Sequence, residues 1–269
     1  TFTVNEYDLA KTIERCELIT SQLGGKYNFK TNMTKLSIQG AGIMGRPSVT
    51  ADFFDTLSKA NINVRLIATS EIKVSCVIEV NNIPKAIRFV GEKFKLSDSQ
   101  IFVNPKYERQ DHPEVRGIAL DKNQVQVSFR QVPDKPGVAA SICLALAENN
   151  LIFDTIVQSE RISSLKTKDI SFTMNKQDRV KANVIFNSLT NNLPGSFIED
   201  GPAIAKVSSV GAGMAFKVGT AGKIFRALAN RDINIEMIAT SEIRTSCIVM
   251  EKDCDEAVKA IHNHFELNK

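Results

Sequence analysis

Tryptophan is absent from the 269 residues, which hold only three tyrosines and three histidines. A nucleic-acid surface combines clustered Lys and Arg with stacking aromatics. Here the net charge of +4 is spread along the chain, so no nucleic-acid partner is expected. No apolar stretch reaches the roughly 18 residues of a membrane span, and Thr1–Glu6 does not read as a secretion signal. No membrane partner is expected either. The cysteines, Cys16, Cys76, Cys143, Cys247 and Cys254, are odd in number and form no C-x-x-C pair. Cys76 and Cys247 lie in apolar, strand-like runs, where a thiol acts as a small hydrophobe. Reduced thiols and a cytoplasmic protein follow from this usage. His262 and His264 have no cysteine at zinc-ligand spacing, so no metal site is expected. Neither a Ser/His/Asp set nor a catalytic carboxylate pair stands out. The remaining composition, 43% hydrophobic and 24% charged, is that of an ordinary globular chain.

What the chain has is repetition. Residues 61–76 (NINVRLIATSEIKVSC) return at 232–247 (DINIEMIATSEIRTSC), an offset of 171 that carries Ile67 onto Ile238. Without a gap, the same offset carries Gly40-Ala41-Gly42 onto Gly211-Ala212-Gly213 and Leu57 onto Leu228. Phe2-Thr3-Val4-Asn5 matches Phe172-Thr173-Met174-Asn175 at 170, so one single-residue indel intervenes. A weaker match at 82 joins 142–159 to 224–241. The elementary unit is therefore about 80 residues, two units make a pair, and the pair is duplicated. The first pair lacks its beginning, since Thr1 falls inside what reads as a strand. This suggests a piece of a longer protein.

Each unit shares one grammar. A strand leads to a small-residue turn, such as Pro133-Asp134-Lys135-Pro136-Gly137. Apolar residues then recur at helical spacing, here Val138, Ile142, Leu144, Leu146 and Ala147. Pro136 sits just before the helix, where its missing N–H costs nothing. Two β-rich runs (151–159 and 168–175), a second helix (about 177–192) and a last strand complete β-α-β-β-α-β, the ferredoxin-like order. After Asp255–Phe265 no residues remain for the last unit's fourth strand. An unassigned strand at Val115–Ala119 is expected to supply it, so that one unit is inserted within its partner.

The expected fold is α/β (α+β): tandem ferredoxin-like units, paired and duplicated. Residues 1–33 are read as the second half of a truncated unit and 34–100 as a second unit. A connector over 101–123 contains the donated strand, and 124–203 and 204–269 are the third and fourth units.

Gly40-Ala41-Gly42-Ile43-Met44-Gly45 matches the dinucleotide-binding pattern G-x-G-x-x-G. The duplicate has Phe216 in place of the third glycine, and the unit is small for a Rossmann half. A tight turn with close backbone approach is the better reading. Gly219-Thr220-Ala221-Gly222-Lys223 lacks phosphate-loop spacing and reads as a helix start. Asp134, ahead of a helix N-terminus, fits either a turn or cap or a receptor for an amino acid's ammonium. In the second case the helix N–H groups beside it would take the carboxylate.

These residues resemble the regulatory region of bacterial-type aspartate kinases, built of ACT domains. The carrying runs are Val115-Arg116-Gly117-Ile118-Ala119, Pro133-Asp134-Lys135-Pro136-Gly137, Val157-Gln158-Ser159, Val210-Gly211-Ala212-Gly213-Met214 and Asn234 through Ile243. The double copy resembles the members that carry four ACT units. The resemblance implies a parent enzyme that phosphorylates the β-carboxylate of aspartate with ATP and Mg, bound by a kinase domain that this chain lacks; no cofactor is expected in the chain itself. It implies feedback by lysine or threonine, and an effector site between two units. Asp134, Gly137, Ala139 and Gln158 would form one face, with Asn234 and Ile235 the facing edge. Ser241 and Glu242 would lie near an effector such as lysine, or else be polar ends of a buried strand. Asn63, Val64, Ser70 and Glu71 hold the same places in the first pair, whose matching loop would precede Thr1. Units pairing side by side imply a homodimer. A stand-alone amino-acid sensor acting on another protein is the alternative.

Overall fold

In the computed structural model, which describes residues 2–43, 45–70, 72–102, 112–160 and 167–267, nine strands form one antiparallel sheet. The chain order is α1 (Leu9–Leu23), β1 (Met33–Gln39), α2 (Pro47–Lys59), β2 (Leu66–Ser70), β3 (Lys73–Glu79) and α3 (Ile83–Phe94). Next come β4 (Gly117–Pro133), α4 (Val138–Glu148), β5 (Phe153–Glu160), β6 (Thr167–Asn175), α5 (Arg179–Asn191) and β7 (Phe197–Val210). The last elements are α6 (Thr220–Ala229), β8 (Met237–Thr240), β9 (Arg244–Met250) and α7 (Cys254–His264). The strands lie in the order β1-β3-β2-β5-β6-β4-β7-β9-β8.

This is the ferredoxin-like arrangement repeated. Strands β5-β6-β4-β7 make one βαββαβ sheet with α4 and α5. Strands β8-β9-β7 make the next, and its fourth strand comes from upstream. Gly117–Asp121 of β4 pair antiparallel with Lys206–Val210 of β7. The donated strand thus begins at Gly117, not at Val115, and it is continuous with the first strand of the 124–203 unit. Strand β4 runs on through position 123, bending where its register shifts between Asp121 and Gln124. Asp121 holds that bend, accepting from the Asn123 N–H at 2.9 Å and from Gln124 Nε2 at 2.8 Å. Strand β7 likewise runs through 203, so two units share each long strand.

Serine marks the common register. Ser37–Ser75, Ser128–Ser171 and Ser208–Ser246 face each other across three strand pairs, with hydroxyls 2.7–2.8 Å apart. A turn glycine shows where the donated strand enters. A Cβ on Gly211 would meet Glu114 O at 2.1 Å, whereas one on the duplicate Gly40 would meet nothing within 4 Å. Close approach of residues 112–115 is therefore what demands glycine here. Met44, within the glycine-rich run, lies outside the described residues.

The expected strand over the first residues is not formed. Residues 2–5 lie outside the sheet, and they lead into a short 3-10 turn (Glu6–Asp8) and α1. A strand needs a ladder partner for its backbone groups, and no described strand runs beside these residues. Helix α1 has no buried residue. Among the described residues, β1 pairs on one side only, with β3.

The main core spans two neighbouring units. Phe53, Phe54 and Leu57 of α2 join Ile142 and Leu146 of α4 and the cluster Phe129, Phe172 and Phe186. Phe129 and Phe186 meet edge to face with centroids 5.3 Å apart. A second core lies under α6 and α7, around Val207, Ile224, Leu228 and Ile261. On the other sheet face, Ile204, Met237 and Ile248 pack with Val157 of β5. The sheet therefore curls back on itself, and Lys206–Asp154 and Lys73–Glu242 ion pairs join the facing strands.

Candidate effector cleft

Strand β4 ends at Pro133, and residues 134–137 turn the chain into α4. Lys135 N–H donates to Pro133 O at 3.0 Å. Gly137 has φ +96°, and a Cβ there would stand 2.9 Å from Ser58 Oγ. Both facts exclude an L side chain without strain. No side chain caps the α4 N-terminus, so its first-turn N–H groups have no intrahelical partner and favour an anion.

Opposite this turn lie the end of α2 and the loop 62–64. The two units are set edge to edge, with α2 and α4 in one core and β2 meeting β5 at Ala68 and Val157. Between them is a cleft of about 360 Å³, part of it open to solvent, lined by the 132–140 turn, Phe54, Ser58, Ile62, Asn63, Val64, Gln158, Lys168 and Ile170.

Asp134 is the electrostatic centre. It accepts from Asn63 Nδ2 at 2.9 Å, Arg65 Nη1 at 3.1 Å and Lys168 Nζ at 2.9 Å. Burial pushes its carboxyl up, but the hydrogen bonds from Lys168 and Asn63 and the charges of Lys168 and Arg65 outweigh that, leaving it below the usual value. Lys168 Nζ also donates to Val64 O at 2.9 Å and Arg65 O at 3.4 Å. Gln158 Nε2 donates to the same two carbonyls, at 3.2 and 3.0 Å.

Six residues expected at effector sites meet here: Asp134, Gly137, Ala139 and Gln158 on one side, Asn63 and Val64 on the other. Within this chain the edge that faces Asp134 is Asn63 and Val64, where Asn234 and Ile235 were expected. Those two lie between α6 and β8, where Asn234 donates to Glu236 and Ile235 packs on the second core. The strand order explains the exchange: β2 lies beside β5, whereas β8 is the last strand on its side. Ser70, Ser241 and Glu242 are outside the cleft. Ser241 N–H donates to Arg244 O at 2.8 Å, and Glu242 pairs with Lys73 of the other repeat. Burial pushes the Glu242 carboxyl up, but Lys73 prevails and holds it low. Glu71 lies outside the described residues.

Arg65, Lys168 and Ser58 were not anticipated. Arg65 had a signal: it stands where the repeat has Glu236, inside an otherwise matching run. The glycine-rich turns do not fit a nucleotide. Gly40 and Gly211 N–H groups donate within the sheet, to Ile72 and Ile243, and backbone 112–115 covers the Gly211–Gly213 turn. Among the described residues, no group of three His, Cys, Asp or Glu is placed to hold a metal, and no helix is long and apolar enough to cross a membrane.

An ACT-domain family model matches residues 36–94 and again 207–265. The aspartate kinase of Synechocystis is similar over 88% of this chain and 40% of its own, with 42% identity and a TM-score of 0.81. The ligand-free regulatory subunit of Thermus thermophilus aspartate kinase is 36% identical with a TM-score of 0.53; the match covers 56% of this chain and 99% of that one. An aspartate kinase of Pseudomonas fluorescens is 34% identical over 193 residues, 68% of this chain and 46% of that protein. The chain thus spans less than half the length of the curated relatives it matches.

Proposed function

The chain belongs to the ACT-domain regulatory regions of aspartate kinases, and from that premise we propose that the cleft between residues 34–100 and 124–203 binds a free amino acid as a feedback effector. One observation carries this reading: a carboxylate and an uncapped helix N-terminus open into the same cleft. A zwitterion needs both poles answered within a few ångström. The α4 N–H groups take the carboxylate and Asp134 takes the ammonium. Threonine and lysine are the candidates, as end products of the pathway that aspartyl phosphate feeds. The parent protein phosphorylates aspartate with ATP and Mg in a domain outside this chain, in keeping with the relatives' names. It is a cytoplasmic homodimer with four ACT units per chain, of which residues 1–33 belong to the first. The 171-residue repeat supports that count, and five free cysteines support a reducing compartment.

Amide hydrogen exchange with and without L-threonine or L-lysine tests the assignment. Slower exchange is expected at Gly137–Ala140 and Ile62–Val64. Unchanged exchange in both segments, with either amino acid at millimolar concentration, would refute it.

A further inference from the structure

The cleft already contains an ammonium group, that of Lys168. Its side chain is 5% exposed, and a buried lysine is costly unless paired. The sister units do not place a charge there. Lys168 stands three residues ahead of the paired Ser171, and the matching positions ahead of Ser75 and Ser246 are Ile72 and Ile243. Those isoleucines lie exposed just ahead of their strands, so the buried charge of Lys168 is particular to the unit that carries Asp134.

Its contacts are those that an incoming ammonium would make. An ammonium has three donors, and Lys168 points them at Asp134 Oδ1, Val64 O and Arg65 O. None of these acceptors depends on it. Asp134 keeps Asn63 and Arg65, and both carbonyls keep Gln158. Lys168 can leave these three acceptors without stranding any of them.

We propose that Lys168 is a tethered stand-in for the effector's ammonium group: it holds Asp134 until an amino acid binds and then gives way. The residue thereby sets how much the ligand's own ammonium contributes to affinity. This rests on the reading of the cleft as an amino-acid site.

A cycle with and without the ammonium on each side tests it by calorimetric titration. The ligands are L-threonine with its des-amino analogue 3-hydroxybutanoate, and L-lysine with 6-aminohexanoate. The proteins are the wild-type chain and Lys168→Met, with Lys168→Ile as a second variant that restores the residue type of the sister units. In wild type, the amino acid and its analogue should differ by less than about tenfold, since the ligand ammonium must displace another. In either variant the preference for the amino acid over its analogue should rise at least tenfold. A purely structural role for Lys168 would shift both ligands alike. Binding with an unchanged preference in a folded variant overturns the role of Lys168 and leaves the amino-acid site standing. No binding of either amino acid to wild type or variant overturns both.

Discussion

Replacing Asp134 by alanine should destabilise the junction between residues 34–100 and 124–203, whether or not a ligand is present. The substitution removes three donors' shared acceptor: Asn63, Arg65 and Lys168. Asn63 faces the open cleft and finds water. Arg65 retains Glu79 at 3.1 Å. Lys168 is the costly one, because its side chain is 5% exposed and that of Asp134 only 17%. Breaking a buried ion pair by deleting one member typically costs about 3–5 kcal/mol, because the other charge is left uncompensated. Lys168 keeps the Val64 and Arg65 carbonyls, which places the expected loss at the lower end, about 3 kcal/mol. With a urea slope near 3 kcal/mol/M, the midpoint of the transition should fall by roughly 1 M. The double variant Asp134→Ala, Lys168→Met should regain at least about 1 kcal/mol of that loss, because the buried cation that lost its carboxylate is then gone; the cycle isolates this coupling. Urea unfolding monitored by far-ultraviolet circular dichroism reads both numbers. A loss below about 1 kcal/mol for the single variant, or a double variant no more stable than the single, would show that this ion pair does not hold the junction.

Gly211→Ala should be strongly destabilising, since its Cβ would fall 2.1 Å from Glu114 O, while Gly40→Ala should change the thermal midpoint little, because that position is open; equal midpoints would mean that residues 112–115 do not cross the turn. Asp134, Glu114 and Glu242 all titrate below their ordinary values, so each contributes stability that is fully present above the unfolded values of 3.8 and 4.5 and is lost as pH falls through the lower folded ones. Urea midpoints should therefore hold from pH 7 to about 5 and fall below about 4.5, and a midpoint that rises on acidification would contradict the sign. Native alkylation at pH 8 should modify Cys16 first, since Cys76, Cys143, Cys247 and Cys254 are buried and burial pushes the Cys143 thiol up to about 12; mass spectrometry showing early labelling at Cys143 would refute its burial.

Much of this protein is written in its repetition. The 171-residue period, the β-α-β-β-α-β grammar and the shortage of strands at the C-terminus determine the unit, its duplication and the need for a strand from upstream. These are local or self-referential signals: a period shows itself wherever a unit recurs, and a helical or alternating pattern reports which face is buried. The turn Pro133–Gly137 was legible for the same reason, because proline and glycine at those offsets permit few backbone paths.

Which repeat faces which turn was decided by the tertiary structure alone. Asn63-Val64 and Asn234-Ile235 are chemically the same edge, and nothing local distinguishes them. Sheet order distinguishes them, since β2 docks beside β5 while β8 ends the sheet. The same holds for Lys168, one more charge in a strand until folding brings it against Asp134, 34 positions away, and against the carbonyls of Val64 and Arg65. Residues 2–5 erred in the other direction, for their sequence copies a strand but no described neighbour completes the ladder. A strand's pattern is carried by its own residues, whereas its hydrogen bonds belong to whatever lies beside it, and that is settled only when the chain has folded.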